Sequence, residues 1–187
     1  MKLTVLMLGV MLLAGCTSDN PQGREQAISD VAAPAANGAI TLQLRAEPGL
    51  NSLNDMPNSC TVLLLQTKEK PALDKILGNP ATIKSLFAGA GSEGDVLQVD
   101  RYVMMPGQTN TVHIDRAQNT RHVALVAGYY PFPVKKHMVS AAIPVATEST
   151  GWWEPVWQAQ LEPVTLSVTL GSESIVSSDV PVAAEEK

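Results

Sequence analysis

The sequence predicts a mainly β protein, a two-sheet antiparallel β-sandwich with a short inserted helical element. Three observations lead there. Apolar residues recur at every second position in several short stretches, the period of a half-buried strand. Those stretches are punctuated by Pro, Gly and Asn, the residues that turn a chain. A single segment, residues 71–88, spaces its apolar residues at the helical period instead.

The elements follow in order. Ile40, Leu42 and Leu44 alternate with Thr41, Gln43 and Arg45, a strand with one face inward. Residues 60–66 are almost continuously apolar and of strand length, which suits a central strand covered on both faces. Leu73, Ile76, Leu77, Ile83, Leu86 and Phe87 define two short helices broken at Gly78-Asn79-Pro80. Val96, Val99, Tyr102, Val103 and Met104 mark a third strand whose uneven spacing suggests a bulge. Pro106-Gly107 turns the chain into a fourth strand, residues 109–114, with Val112 and Ile114 inward. In residues 122–130, Val123, Leu125 and Ala127 take one face and Ala124 and Val126 the other. Residues 152–161 and 163–170 give two more strands, and in the second Val164, Leu166, Val168 and Leu170 alternate cleanly. Aromatic residues make up only 4% of the chain, so Val and Leu must fill the core.

The 187 residues suit one domain with extended ends. Met1-Lys2 is a short positive start, residues 3–13 are almost wholly apolar, and Ala14-Gly15 are small, the three parts of a cleavable signal peptide over residues 1–15. The apolar run is shorter than the ~20 residues that span a bilayer core. Leu13-Ala14-Gly15-Cys16 resembles a lipobox: small residues fit the peptidase, and the thiol of Cys16 receives lipid. One acyl chain holds a protein to a membrane only marginally, and two or more anchor it stably. Thr17 stands where inner-membrane retention signals usually place Asp, and by resemblance to known lipoproteins this favours the cell outer membrane, periplasmic face. Residues 17–38 are rich in Ser, Asp, Asn, Gln, Ala, Pro and Gly and read as a flexible tether after the lipidated Cys16. Its 22 residues would have an r.m.s. reach of about 25 Å. The sandwich domain is then residues 39–175, and residues 176–187 read as a disordered acidic tail.

Charge narrows the function classes. Loss of residues 1–15 removes Lys2 alone among the charged residues, which takes 13 basic residues to 12 against 18 acidic and the net charge from −5 to −6. A nucleic-acid binder needs a basic face, so no nucleic-acid partner is expected. With Cys16 lipidated, Cys60 has no partner within the chain, and next to Thr61-Val62-Leu63-Leu64-Leu65 it reads as a small buried hydrophobe.

The chain carries little that suggests catalysis. Gly89-Ala90-Gly91-Ser92-Glu93-Gly94 fits G-x-G-x-x-G, but it follows a helical segment and leads to a strand, the reverse of the dinucleotide context. His113, His122 and His137 form no i, i+4 pair and sit at no metal-ligand spacing. No nucleophile elbow is present and no carboxylate pair stands out, so no catalytic residue, metal or cofactor is assigned. Two features exceed what a plain sandwich requires. Residues 47–59 are long for a β connection and place Leu50, Leu53 and Met56 among turn formers. These side chains either fold back onto the core or form a partner-binding loop. Trp153, Trp157 and Leu161 can share a strand face directed at the core, with Trp152 on the opposite face as a contact or a cap on the rim.

With these pieces in place, residues 39–175 resemble the outer-membrane lipoprotein of the type VI secretion system, the TssJ family. The resemblance rests on Leu50-Asn51 in a long first connection, the Val62-Leu63-Leu64-Leu65-Gln66 strand and the Leu73-Asp74-Lys75-Ile76-Leu77-Gly78 helix. It rests further on Pro106-Gly107-Gln108 before Thr111-Val112-His113-Ile114 and, most specifically, on Thr120-Arg121-His122-Val123-Ala124-Leu125-Val126-Ala127-Gly128-Tyr129-Tyr130. Cys60 departs from the family, which often has Pro or a small residue there, and residues 132–150 are less typical. The resemblance implies a transthyretin-like sandwich and a structural role without catalysis or cofactor. Such lipoproteins tether the trans-envelope complex by gripping the periplasmic domain of the TssM-type inner-membrane protein. The candidate partner-binding residues are Leu50, Asn51, Leu53, Asn54 and Met56, apolar anchors in a polar rim. Two other readings stay open: a periplasmic ligand- or peptide-binding envelope lipoprotein, and a lipoprotein hydrolase.

Overall fold

The structure, a computed structural model, describes residues 21–89, 94–130, 134–151 and 155–181. Helix α1 (Pro21–Ser29) precedes β1 (Ala36–Ala46) and β2 (Cys60–Thr67). Helices α2 (Lys70–Leu77) and α3 (Pro80–Phe87) follow, then β3 (Val96–Met104), β4 (Thr109–Arg116) and β5 (His122–Ala127). A single 3-10 turn leads into β6 (Met138–Ala142), β7 (Val145–Thr150), β8 (Val156–Leu161), β9 (Val164–Leu170) and β10 (Ile175–Asp179).

Two four-stranded sheets, ordered β10-β9-β1-β4 and β3-β2-β5-β6, face each other, and β7-β8 form a separate hairpin. This is the expected two-sheet sandwich. All pairings are antiparallel except β1 with β9, which run parallel with Ile40 opposite Val164 and Ala46 opposite Leu170. The expected irregularity near the start of β3 is a register shift where Thr67 pairs with Val96.

The core explains the two sequence patterns. Ile40, Leu42 and Leu44 of β1 and Val164, Leu166 and Val168 of β9 point inward, against Val62, Leu64, Val123 and Leu125 of the opposite sheet. The intervening β1 and β9 residues face outward, which is why those strands alternate. Strands β2 and β5 bury both faces: Leu63, Leu65 and Val126 lie under Ile76, Ile83 and Leu86 of the two helices. A strand covered on both sides has no polar face to display, so its sequence reads as an unbroken apolar run.

The helices sit where the sequence places them. The Asn79 side chain accepts from the N–H groups of Ala81 (3.0 Å) and Thr82 (3.3 Å), satisfying donors that the first turn of α3 leaves free. Pro80, lacking an N–H, fits the first helical position. Phe87 then packs so close to Gly128 that a Cβ there would lie 2.9 Å from its ring, which fixes glycine at that point. The fully buried Gln66 ties β2 to the β4–β5 connection: its Nε2 donates to Asp115 O at 3.0 Å, and its Oε1 accepts from Ala117 N and Thr120 Oγ1, both at 2.9 Å.

Three expectations need correction. The segment read as a free tether over residues 17–38 is ordered from Pro21: it forms α1, buries Val31 and enters β1 at Ala36. Arg121, about ninety residues on, supplies the reason, since its guanidinium donates to the carbonyls of Ile28, Ser29 and Val31 at the end of α1. Residues 176–179, read as the start of a disordered acidic tail, belong instead to β10, whose backbone pairs with β9 while its side chains stay largely exposed. Strands β6 and β7 were not expected, because their short sequences carry no clear alternation. Cys16, Trp152 and Trp153 lie outside the described residues. Trp157 is half-buried beneath α1, with the Arg24 guanidinium 5.9 Å from its ring centre.

Candidate partner-binding site

Strand ends collect four connections on one rim of the sandwich: residues 47–59, residues 105–108, the described parts of the β5–β6 connection (128–130 and 134–137) and residues 171–174. The first is the long connection singled out from the sequence, and the structure divides it into a base and a tip. The base is pinned. Glu47 N donates to Leu170 O at 2.8 Å, Asn51 N to Gly171 O at 3.2 Å and Ser52 N to Ser172 O at 2.8 Å. The return limb is held as well, with Asn58 N donating to Leu50 O at 2.9 Å and Asn51 Nδ2 to Ser59 O at 2.8 Å. Asn51 adopts φ 45°, a left-handed conformation that Asn tolerates better than most residues.

Leu50 belongs to this base. It is 0% exposed and packs in the main core, which corrects its expected role as a partner anchor. The apolar side chain seals the end of the sandwich because the pinned backbone on either side of it turns it inward.

The tip is a closed two-residue turn. Leu53 and Met56 exchange backbone hydrogen bonds of 3.0 and 3.1 Å, and between them Asn54 and Asp55 have φ 51° and 58°. Positive φ at both central positions is the type I′ turn that matches strand twist. Directly opposed residues of such a pair carry their side chains to the same face. Leu53 and Met56 are 52% and 64% exposed, so a pair of large apolar side chains stands in solvent on a preformed turn. Asn54 and Asp55, the exposed central residues of the turn, put polar groups next to the pair.

The other sheet supports the base from behind. Tyr129, 1% exposed, donates its hydroxyl to Ser174 O at 3.0 Å. His137, 0% exposed, packs on the Tyr129 ring with centroids 4.9 Å apart and places Nε2 3.0 Å from Glu173 O. The proton therefore sits on Nε2, leaving Nδ1 to accept from Val134 N at 3.4 Å. Burial lowers the His137 pKa, with a smaller opposing effect from the Glu173 carbonyl. No sequence pattern marked His137 or Tyr129 as supports, because both act through backbone carbonyls of a turn more than thirty residues away.

Cys60, where β2 begins, is 0% exposed, and burial raises its thiol pKa to about 11 despite a backbone hydrogen bond from Gly128 that lowers it. A thiol held protonated in this way is a poor nucleophile. His113 is exposed, with Nδ1 3.2 Å from Thr41 Oγ1, and His122 is half-buried with its pKa lowered by burial. Among the described residues no three His, Cys, Asp or Glu side chains gather at a metal-binding distance. Two open surface hollows lie on the β1, β4 and β9 side of the sandwich, lined by polar and apolar residues together, among them Gln43, Leu44, Arg45, Thr109, Val168 and Thr169.

The profile of the family described as "Type VI secretion lipoprotein, VasD, EvfM, TssJ" matches residues 38–171, most of the chain, from within β1 to just past the end of β9. The chain belongs to this family. Type VI secretion lipoproteins are membrane-bound structural components of the secretion machinery. Among solved structures, TssJ1 from Pseudomonas aeruginosa is similar at 18% identity and TM-score 0.54, the match covering 81% of this chain and 98% of that one. Lip from Serratia marcescens, a membrane-bound component of the type VI secretion system, matches at 19% identity and TM-score 0.54 over 76% and 98% of the two chains. A third similar chain comes from a structure described as the TssM C-terminal domain from EAEC, at 18% identity, TM-score 0.53 and coverage of 76% and 98%. At these identities the structures establish a shared fold. No curated protein sequence gives a significant match.

Proposed function

We propose that this lipoprotein is anchored in the outer membrane, on its periplasmic face, through lipid on Cys16, and that it tethers the type VI trans-envelope complex by binding the periplasmic domain of a TssM-type inner-membrane protein. One observation carries the contact: the closed turn that holds Leu53 and Met56 in solvent, with Asn54 and Asp55 between them and Asn51 in the pinned base below. Large exposed apolar side chains are ordinary when scattered, but two fixed side by side on a preordered turn lose little freedom on docking. The similarity to a chain within a structure of a TssM C-terminal domain, and to one within a type VI membrane complex, supports the choice of partner.

Binding of the soluble domain to a purified periplasmic domain of the TssM-type protein tests the contact. An anchor that enters a desolvated pocket should cost at least about 2 kcal/mol when cut to Ala, or roughly thirtyfold in affinity. Unchanged affinity in both Leu53→Ala and Met56→Ala would remove the tip from the interface. Cys16→Ser tests the anchor: the variant should lose palmitate labelling and leave the membrane fraction with its fold intact, and label that persists on it would defeat the lipidation reading.

A further inference from the structure

Helix α1 and the β7-β8 hairpin pack chiefly on each other rather than on the two large sheets. They form an appendage, and its position follows from the connections. Arg121, which caps α1 through the carbonyls of Ile28, Ser29 and Val31, begins the strand end opposite the 47–59 rim. At that same far rim Ile143 N donates to Arg121 O at 2.8 Å and Glu162 N to Pro144 O at 2.8 Å, so the base of the hairpin is there too. Along the hairpin, Arg24 Nε donates to Thr147 Oγ1 at 3.1 Å and its guanidinium lies over Trp157. The helix therefore runs with its last turn at the base of the hairpin and its first turn toward the hairpin end formed by Thr150 and Val156. Its last-turn carbonyls, which carry the negative end of the helix dipole, are met by a guanidinium from another element.

We propose that residues 21–34 act as a docked strap that fixes how the domain faces the membrane, with the end of the hairpin at which Thr150 pairs with Val156 turned toward a phospholipid bilayer and the 47–59 rim directed away from it. The proposal rests on lipidation of Cys16. Only residues 17–20 separate Cys16 from Pro21, and five extended steps reach at most about 18 Å. The lipid is thus tied to the outer end of the appendage, on the far side of the sandwich from Leu53 and Met56. Helix α1 buries none of its residues and exposes Gln22, Glu25 and Gln26, so it suits the watery headgroup layer rather than the acyl core. Val156, 60% exposed, stands at the hairpin end that meets the bilayer. A strap of this kind presents the partner-binding tip toward the periplasm without relying on random tumbling of a long tether.

The test uses the full lipoprotein in vesicles of phosphatidylethanolamine and phosphatidylglycerol. In a Cys60→Ala background, a single cysteine is placed at Val156 or at Met56 and carries a fluorophore, and quenching by a headgroup spin-labelled phospholipid is measured. Quenching should be several-fold stronger at 156 than at 56. Arg24→Ala with Arg121→Ala should bring the two positions toward equality while vesicle flotation is retained. As a check that leaves the fold untouched, about twelve Gly and Ser residues inserted after Ser18 should do the same by lengthening the free tether. Equal quenching in the parent protein, or a difference that survives the insertion, overturns the strap. Loss of flotation by the parent protein would instead show that Cys16 holds no lipid, and both readings would fall together.

Discussion

Leu50 and Leu53 are the same residue type three positions apart in one turn-rich connection, yet one is 0% and the other 52% exposed. The difference lies in the backbone. Around Leu50 the chain is bound to Leu170, Gly171 and Ser172 on the neighbouring strand end, so its side chain is turned into the core. Leu53 is bound only to Met56 across a local turn, and that pair stands beyond the sandwich. The loop thus joins a base that belongs to the fold and a tip that is available to a partner.

The largest effect should separate the two. Leu50→Ala empties a sealed site at the end of the core, where such truncations cost about 2–5 kcal/mol. Chemical denaturation of the soluble domain would measure it, and a loss of less than about 1 kcal/mol would mean that the site collapses and the base is less rigid than its hydrogen bonds imply. A second substitution sharpens the nature of the base. Asn51→Ala combines a left-handed φ with loss of the bond to Ser59 O, for an expected cost of about 1–2 kcal/mol. Asn51→Gly keeps the conformation and loses only the bond, so it should cost less than Asn51→Ala. The reverse order would show that strain is not what selects Asn there.

How much of this could be read in advance depends on whether the cause was local. Strands β1 and β9 were legible because one face is buried, and β2 because two faces are. The break between α2 and α3 was legible because Asn79-Pro80 caps a helix with its own atoms. The order of residues 21–35 was not legible, since it depends on Arg121 and on a hairpin more than a hundred residues away. Leu50 shows the same limit within the candidate site. Its spacing with Leu53 and Met56 suggested three equivalent anchors, and only the contacts with the β9–β10 turn distinguish it from the other two. The parallel pairing of β1 with β9 is likewise a property of the whole topology and leaves no mark on either strand's alternation.

A smaller effect should reach the base from the opposite sheet. His137 is buried and neutral, and its pKa lies below the ordinary 6.5, chiefly because burial disfavours the charged ring. Lys136 lowers it further, and the Glu173 carbonyl partly offsets both. The unfolded chain, with an ordinary histidine, therefore binds more protons than the native one as pH falls below 6.5. The stabilisation is complete above that pH and declines as acid is added. Protonation would also turn Nδ1 into a donor facing the Val134 N–H. The denaturation midpoint should therefore fall between pH 7.5 and pH 5.5, and His137→Gln should show a flatter profile. His122, also lowered by burial, would account for the slope that remains. An identical slope in His137→Gln would take His137 out of the acid response.

The smallest expected change bears most directly on what the tip is for. Leu53→Ala and Met56→Ala remove side chains that are already more than half in water, and surface changes of this kind usually stay within ~0.5 kcal/mol of the parent. The backbone of the turn would be unaffected, because the two hydrogen bonds between these residues come from main-chain groups. Asp55→Gly should be as mild or slightly stabilising, since it leaves an Asn-Gly pair in a turn whose central residues both have positive φ. Together with a fall in partner affinity, unchanged stability would mark the tip as a surface kept for contact, held out by a base that carries the structural load. If either truncation destabilised the domain as much as Leu50→Ala, the distinction between base and tip would collapse, and Leu53 and Met56 would have to be counted as part of the fold.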